Sequence, residues 1–142
     1  MKHTLSVGML ALIPIAVIAE DTKKIPKALK GTWVVTKTIR SGEEYDRIVG
    51  DQVTFGSGSM TIISKRGRKQ AAKFTLNLKT KPIQMDLTLE KEDQPSKGLL
   101  EIKGDVLRVC FGEPGKPRPK ELKSQEGSDV VLITLKRVKS KK

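Results

Sequence analysis

Few residues of this 142-residue chain could do covalent or acid–base chemistry. They are one cysteine, Cys110, and four strand-borne acids, Asp86, Glu90, Glu101 and Asp105. A thiol becomes a nucleophile when neighbouring positive charge lowers its pKa, and Arg108 shares a strand face with Cys110. The usual partner base is missing, because the only histidine is His3, inside an N-terminal apolar leader. Without it there is no Ser-His-acid or Cys-His constellation and no His-containing zinc site. Cys110 is the one candidate thiol and reads as a buried, inert one. Two carboxylates could cleave a glycosidic bond if held at a defined separation. Nothing in the spacing brings any two of the four together, and Asp105 beside Gly104 is ordinary turn chemistry. The expectation is a non-enzyme with no catalytic residue, no metal and no cofactor.

The leader sets the compartment. Lys2 and His3 precede an apolar run, Leu5 to Ile18, and Val17 and Ala19 stand at minus three and minus one of a cut before Glu20. That is a secretory signal pattern over residues 1–19, and it is shorter than the ~20 apolar residues a spanning helix needs. The chain is expected to be exported to the periplasm or beyond, with no membrane span after cleavage. A single cysteine allows no internal disulfide. Residues 20–27 are a polar, Lys-rich linker, 28–138 one domain, and 139–142 a basic tail.

The elements that must position any site are strands. Apolar residues recur every second position in Phe74, Leu76 and Leu78, in Ile83, Met85, Leu87 and Leu89, and in Leu107, Val109 and Phe111. The first strand, opened by Gly31-Thr32-Trp33 and running to about Ile39, places Trp33, Val35 and Ile39 on one face, with Lys37 as the exception, and Thr32, Val34, Thr36 and Thr38 on the other. Shorter runs cover 52–55 and 60–64, and a last strand runs from Asp129 to Val138. Residues 43–50 are polar until Ile48 and Val49 and give no clear pattern. About eight strands joined by Gly-, Asp- and Ser-containing turns, with no helical period, predict an all-β antiparallel barrel or sandwich.

Several of these stretches resemble an uncharacterised, lipocalin-like domain family expanded in planctomycete bacteria. The matching residues are Leu29, Gly31-Thr32-Trp33, Gly50-Asp51 before Phe55, and Lys81-Pro82 through Asp86-Leu87-Thr88. They continue with Gly98, Gly104-Asp105 and Leu107, Cys110, Pro114-Gly115-Lys116, Arg118-Pro119 and Leu135-Lys136-Arg137. Leu100-Glu101-Ile102 departs from the pattern, which carries an aromatic there. The resemblance implies a small up-and-down barrel of about eight strands and brings no catalytic residue or ligand. It also implies a closure in which Arg137 stacks on Trp33, a structural cation–π contact.

The charge is +12, with 28 Lys and Arg against 16 acids and few aromatics. Lysines spread over most turns, without stacking aromatics, do not suit a specific nucleic-acid binder. Lys65 to Lys69 reads as a solvated hairpin tip. The Pro-rich loop from Gly112 to Ser124 is a stiff connector across a barrel end, or a recognition segment presenting Lys116, Arg118 and Lys120 to a partner. Two functions are consistent with this pattern. The first is an exported, monomeric binding module that holds a small apolar ligand in its lumen or an envelope partner at its loops. The second is an envelope interaction protein with a filled core and a basic surface attracted to anionic polymers.

Overall fold

The computed structural model describes residues 26–139. The leader, most of the 20–27 linker and the last three residues of the tail lie outside them. Nine strands succeed one another in chain order: β1 (Gly31–Arg40), β2 (Glu43–Glu44), β3 (Gln52–Phe55), β4 (Ser59–Ile63), β5 (Lys69–Asn77), β6 (Ile83–Leu89), β7 (Ser96–Lys103), β8 (Val106–Phe111) and β9 (Val131–Arg137). β1 pairs with β3, each later strand pairs antiparallel with the next, and β9 returns to β1 to close an eight-stranded barrel of lipocalin-like plan, with β2 appended to β1. Closure leaves the long strands no continuous free edge.

Alternation decides which face of each strand turns inward. On β5, Ala72, Phe74 and Leu76 are buried while Lys69, Ala71, Lys73, Thr75 and Asn77 are exposed. The inward residues of all walls meet in one apolar cluster, which includes Trp33, Val35, Phe55, Met60, Phe74, Met85, Leu100, Leu107 and Leu135. Phe55 and Phe74 meet edge to face with ring centroids 5.6 Å apart, the arrangement that the aromatic quadrupole favours. Leu29 tucks under one end, its carbonyl accepting from Trp33 Nε1 at 3.0 Å. At the other end the Tyr45–Gly50 segment lies against β1 and packs Ile48 and Val49 on the core.

Two details depart from the expectations drawn from sequence. In β1 the pairing passes from Val35↔Leu135 to Lys37↔Thr134, leaving Thr36 as an extra residue. Such a bulge reverses the phase of the strand beyond it. Thr38, expected outside, is therefore 1% exposed, and its Oγ1 finds no hydrogen-bond partner among the described residues. The Ser41-Gly42-Glu43 stretch turns, as its residues signal, but residues 43–50, which gave no clear pattern, open with a short strand. Ser41 and Gly42 both take positive φ, and β2 pairs back on Ile39 and Arg40. That pair of conformations fits the right-handed twist of the flanking strands.

Candidate functional site

The residues with chemical potential fall into three places, and the first is the outer wall of β6, β7 and β8. Leu99, Cys110 and Leu132 are register partners across β7, β8 and β9 and form an apolar row outside the barrel. The β8–β9 connection covers it. This segment leaves Phe111 and returns at Val131, which are themselves paired, so its ends touch and its body folds back as a strap. It lies along the outer wall rather than across a barrel end. Arg118 anchors it: Nη1 donates to the Gly98 carbonyl at 3.0 Å and to that of Met85 at 3.3 Å. The same nitrogen stands 2.9 Å from Asp86 Oδ1, off the direction of any N–H, so that contact is one of charge alone. Arg108 donates to Glu101 at 3.3 Å and lies 3.5 Å from the Leu122 carbonyl.

Cys110 is fully buried beneath this strap and its Sγ donates to the Glu121 carbonyl at 3.4 Å. Burial pushes the thiol above its ordinary pKa, outweighing the backbone hydrogen bonds and the Arg108 charge that act the other way. A neutral, covered thiol is a poor nucleophile. Arg118, expected to face a partner, instead turns Nη1 onto the barrel. Lys116 and Lys120 of the same loop are exposed. Among the four acids, Asp86 is held by Arg118, Glu101 by Arg108 and Lys103, and Asp105 by Arg137 and Lys139. Glu90 is exposed and unpaired among the described residues. No group of three or more His, Cys, Asp or Glu among these residues could hold a metal ion.

The second place is the base, where β1 begins and β9 ends. Trp33 and Arg137 are register partners, and the guanidinium carbon lies 4.3 Å from the Trp33 ring centroid. Arg137 also donates from Nε to Asp105 Oδ1 at 3.1 Å, from Nη1 to the Lys30 carbonyl at 3.0 Å and from Nη2 to the Ala28 carbonyl. One side chain thus ties the entry of β1, the β7–β8 turn and the end of β9. Its donors are committed to the fold.

The third place is the wall of β3, β4 and β5, which the motifs and spacings of the sequence did not single out. From Gln52 to Met85 the chain carries no Asp or Glu, yet it carries Lys65, Arg66, Arg68, Lys69, Lys73, Lys79 and Lys81. All seven are exposed. Among the described residues none takes part in an ion pair; every such pair joins residues of β1, β2 or the chain from Asp86 onward. Asp51, which is 8% exposed, accepts from the Lys65 backbone N–H at 3.2 Å. That bond sets the β4–β5 tip. The Lys65 stem also lies against Gly50, where a Cβ would come within 2.8 Å of its Cδ. The rest of the outward face is neutral: Gln52, Thr54, Ser59, Thr61, Thr75 and Asn77 are polar, with Ile63 and Ala71 among them. The long acid-free interval was the available signal. Read turn by turn, the lysines look scattered; the barrel stacks their turns and strands into one wall.

Surface recesses lie outside the core. One of about 450 Å3 is bounded by Leu78, Pro82, Ile83 and Glu101, and one of about 460 Å3 by Thr38, Tyr45 and Val49. Neither is lined by Trp33, Phe74, Met85 or Leu107. Comparison of the chain with protein-family models, with curated proteins and with solved structures finds no match.

Proposed function

We propose that this protein is an exported, non-catalytic barrel that works through its outer surface, attaching as a monomer to anionic polymers of the cell envelope by the β3–β5 wall. The observation that carries this reading is the wall's charge: seven exposed cations, no acid in the sequence interval, and no ion pair among the described residues. Surface cations with no partner of their own create a field that attracts polyanions over about a Debye length, ~10 Å at 0.1 M salt. The leader pattern at 1–19 supports export, and the resemblance to a lipocalin-like family of exported proteins agrees with it while bringing no catalytic residue. The inward positions carry Trp33, Phe55, Phe74, Met60 and Met85 in one cluster. Eight strands give an interior that side chains of this size can fill. This favours the filled-core reading over a small apolar ligand in the lumen.

The test is binding to dextran sulfate, with neutral dextran as control and Trp33 emission reporting that each variant is folded. Binding is expected to weaken steadily with added salt, as counterion release requires. Reversing Lys65, Arg66, Arg68 and Lys69 to Glu should weaken it by at least about tenfold. Equal affinity for neutral dextran, or no loss in that variant, would sink the proposal.

A further inference from the structure

The cations of this wall are arranged in a line. Lys69 and Lys73 lie on the outward face of β5, the tip residues Lys65, Arg66 and Arg68 continue it at one end, and Lys79 and Lys81 continue it at the other. On the β4 side, Lys69 and Lys73 are paired with Ile63 and Ser59, and Ala71 with Thr61. On the β6 side, Lys73 faces Thr88, Thr75 faces Asp86, and Asn77 faces Gln84. The positive column is therefore one strand wide. It is bordered by neutral side chains on one flank, and on the other by a carboxylate that Arg118 holds, with Glu90 beyond it. Strand geometry makes Lys69 to Asn77 about 27 Å long, while adjacent strands stand only about 4.8 Å apart.

A column of this shape discriminates among polyanions. An anionic membrane is a plane and would match a broad patch better than a line. Single-stranded nucleic acid gains much of its affinity from bases stacking on aromatic side chains, and both phenylalanines of this wall, Phe55 and Phe74, point into the core. Apart from Ile63, Ala71 and the two flanking carboxylates, what lines the column is hydroxyl and amide: Ser59, Thr61, Thr75, Asn77, Gln84 and Thr88. Each can both donate and accept a hydrogen bond, which is what the hydroxyls of a sugar chain require. Resting on the polyanion reading above, we infer that β5 is a track for one linear anionic polysaccharide, laid along the strand from the Lys65–Arg68 tip to Lys79 and Lys81.

A track differs from a sticky tip in its dependence on length. The probes are oligogalacturonates of defined size, titrated calorimetrically against the processed full chain. Affinity should rise with oligomer length and level off only once a chain spans more than about 27 Å, the length of β5, and so reaches both end clusters. Lys79→Glu with Lys81→Glu should weaken the long oligomers by about tenfold and leave the shortest ones unchanged. Lys97→Glu with Lys136→Glu, the same charge change on other walls, should alter affinity less than about threefold. Affinity independent of length, or a Lys79/Lys81 variant that binds long oligomers normally, would overturn the track and leave the polyanion reading standing. Binding of neither oligogalacturonate nor dextran sulfate would remove both. Tighter binding of polyuridylate, or of phosphatidylglycerol vesicles, at equal charge concentration would overturn the polysaccharide assignment.

Discussion

On the outer wall of β6 to β8, Arg118, Arg108 and Lys103 stand 2.9 to 3.8 Å from Asp86 or Glu101. On the wall of β3 to β5, seven lysines and arginines have no acid to meet. Both walls carry strand-borne cations over the same apolar core, so the difference lies in the acids and in the strap. Where the strap folds back, it half-buries Arg118 and Asp86 (side chains 23% and 35% exposed) and ties the guanidinium to two strand carbonyls, which makes those contacts structural. Where no segment covers the sheet, like charges repel one another weakly through water and remain available. One wall uses its charge to hold the fold, and the other leaves its charge facing outward.

That comparison can be broken at its strongest point first. At Gly98 a Cβ would run into the Cys110 carbonyl and come within 2.6 Å of the Phe111 ring. Gly98→Val should therefore cost about 3 kcal/mol or more through overpacking. Urea unfolding followed by Trp33 emission measures it, and near-wild-type stability would mean that this wall is looser than described. Next, Arg118→Ala removes the donors to Met85 and Gly98 and strands the Asp86 carboxylate. A loss of about 2 kcal/mol is expected, with faster alkylation of Cys110 in the native state as the strap loosens. Adding Asp86→Asn should recover part of that loss, because an unpaired half-buried charge is then gone. An unchanged alkylation rate would show that Arg118 does not hold the strap. The smallest effect belongs to the open wall. Reversing Lys69 and Lys73 should shift stability by less than about 0.5 kcal/mol each. The shift should be toward greater stability at low salt and vanish as salt is added. A large loss would mean these lysines are structural and the contrast between walls is false.

Much of the fold was legible because alternation is a local signal. Phe74, Leu76, Met85, Leu87, Leu107 and Val109 declare their inward face with period two, and turns at Gly104 and Ser41-Gly42 punctuate them. Thr38 was misplaced because a single extra residue in β1 inverts the phase; the charged Lys37 on the face assigned inward was the one local mark of it, and it was read as an exception rather than a bulge. Arg118 was read as available because a guanidinium in a Pro-rich loop looks the same whether it faces water or two strand carbonyls. Cys110 was read correctly as covered, although its cover comes from residues eleven or more positions away. The cationic wall was missed for the opposite reason. Its signal lies in what a long interval lacks, and it becomes a surface only when β3, β4 and β5 are laid side by side.

The seam between β1 and β9 also has a mechanical meaning. These strands run antiparallel, and the described chain enters one and leaves the other at the same end of the barrel, beside the Trp33–Arg137 stack. Tension applied through the two chain ends would load the seam as a zip, one residue pair at a time, rather than shearing all its hydrogen bonds together. Just inside the bond from Val138 N–H to the Thr32 carbonyl, the pull meets Trp33↔Arg137, where stacking, the Asp105 contact and the carbonyls of Ala28 and Lys30 converge on one guanidinium. Arg137 therefore sits where a rivet would be placed at the mouth of a seam, and the resistance of the whole hoop to being pulled open begins with that residue.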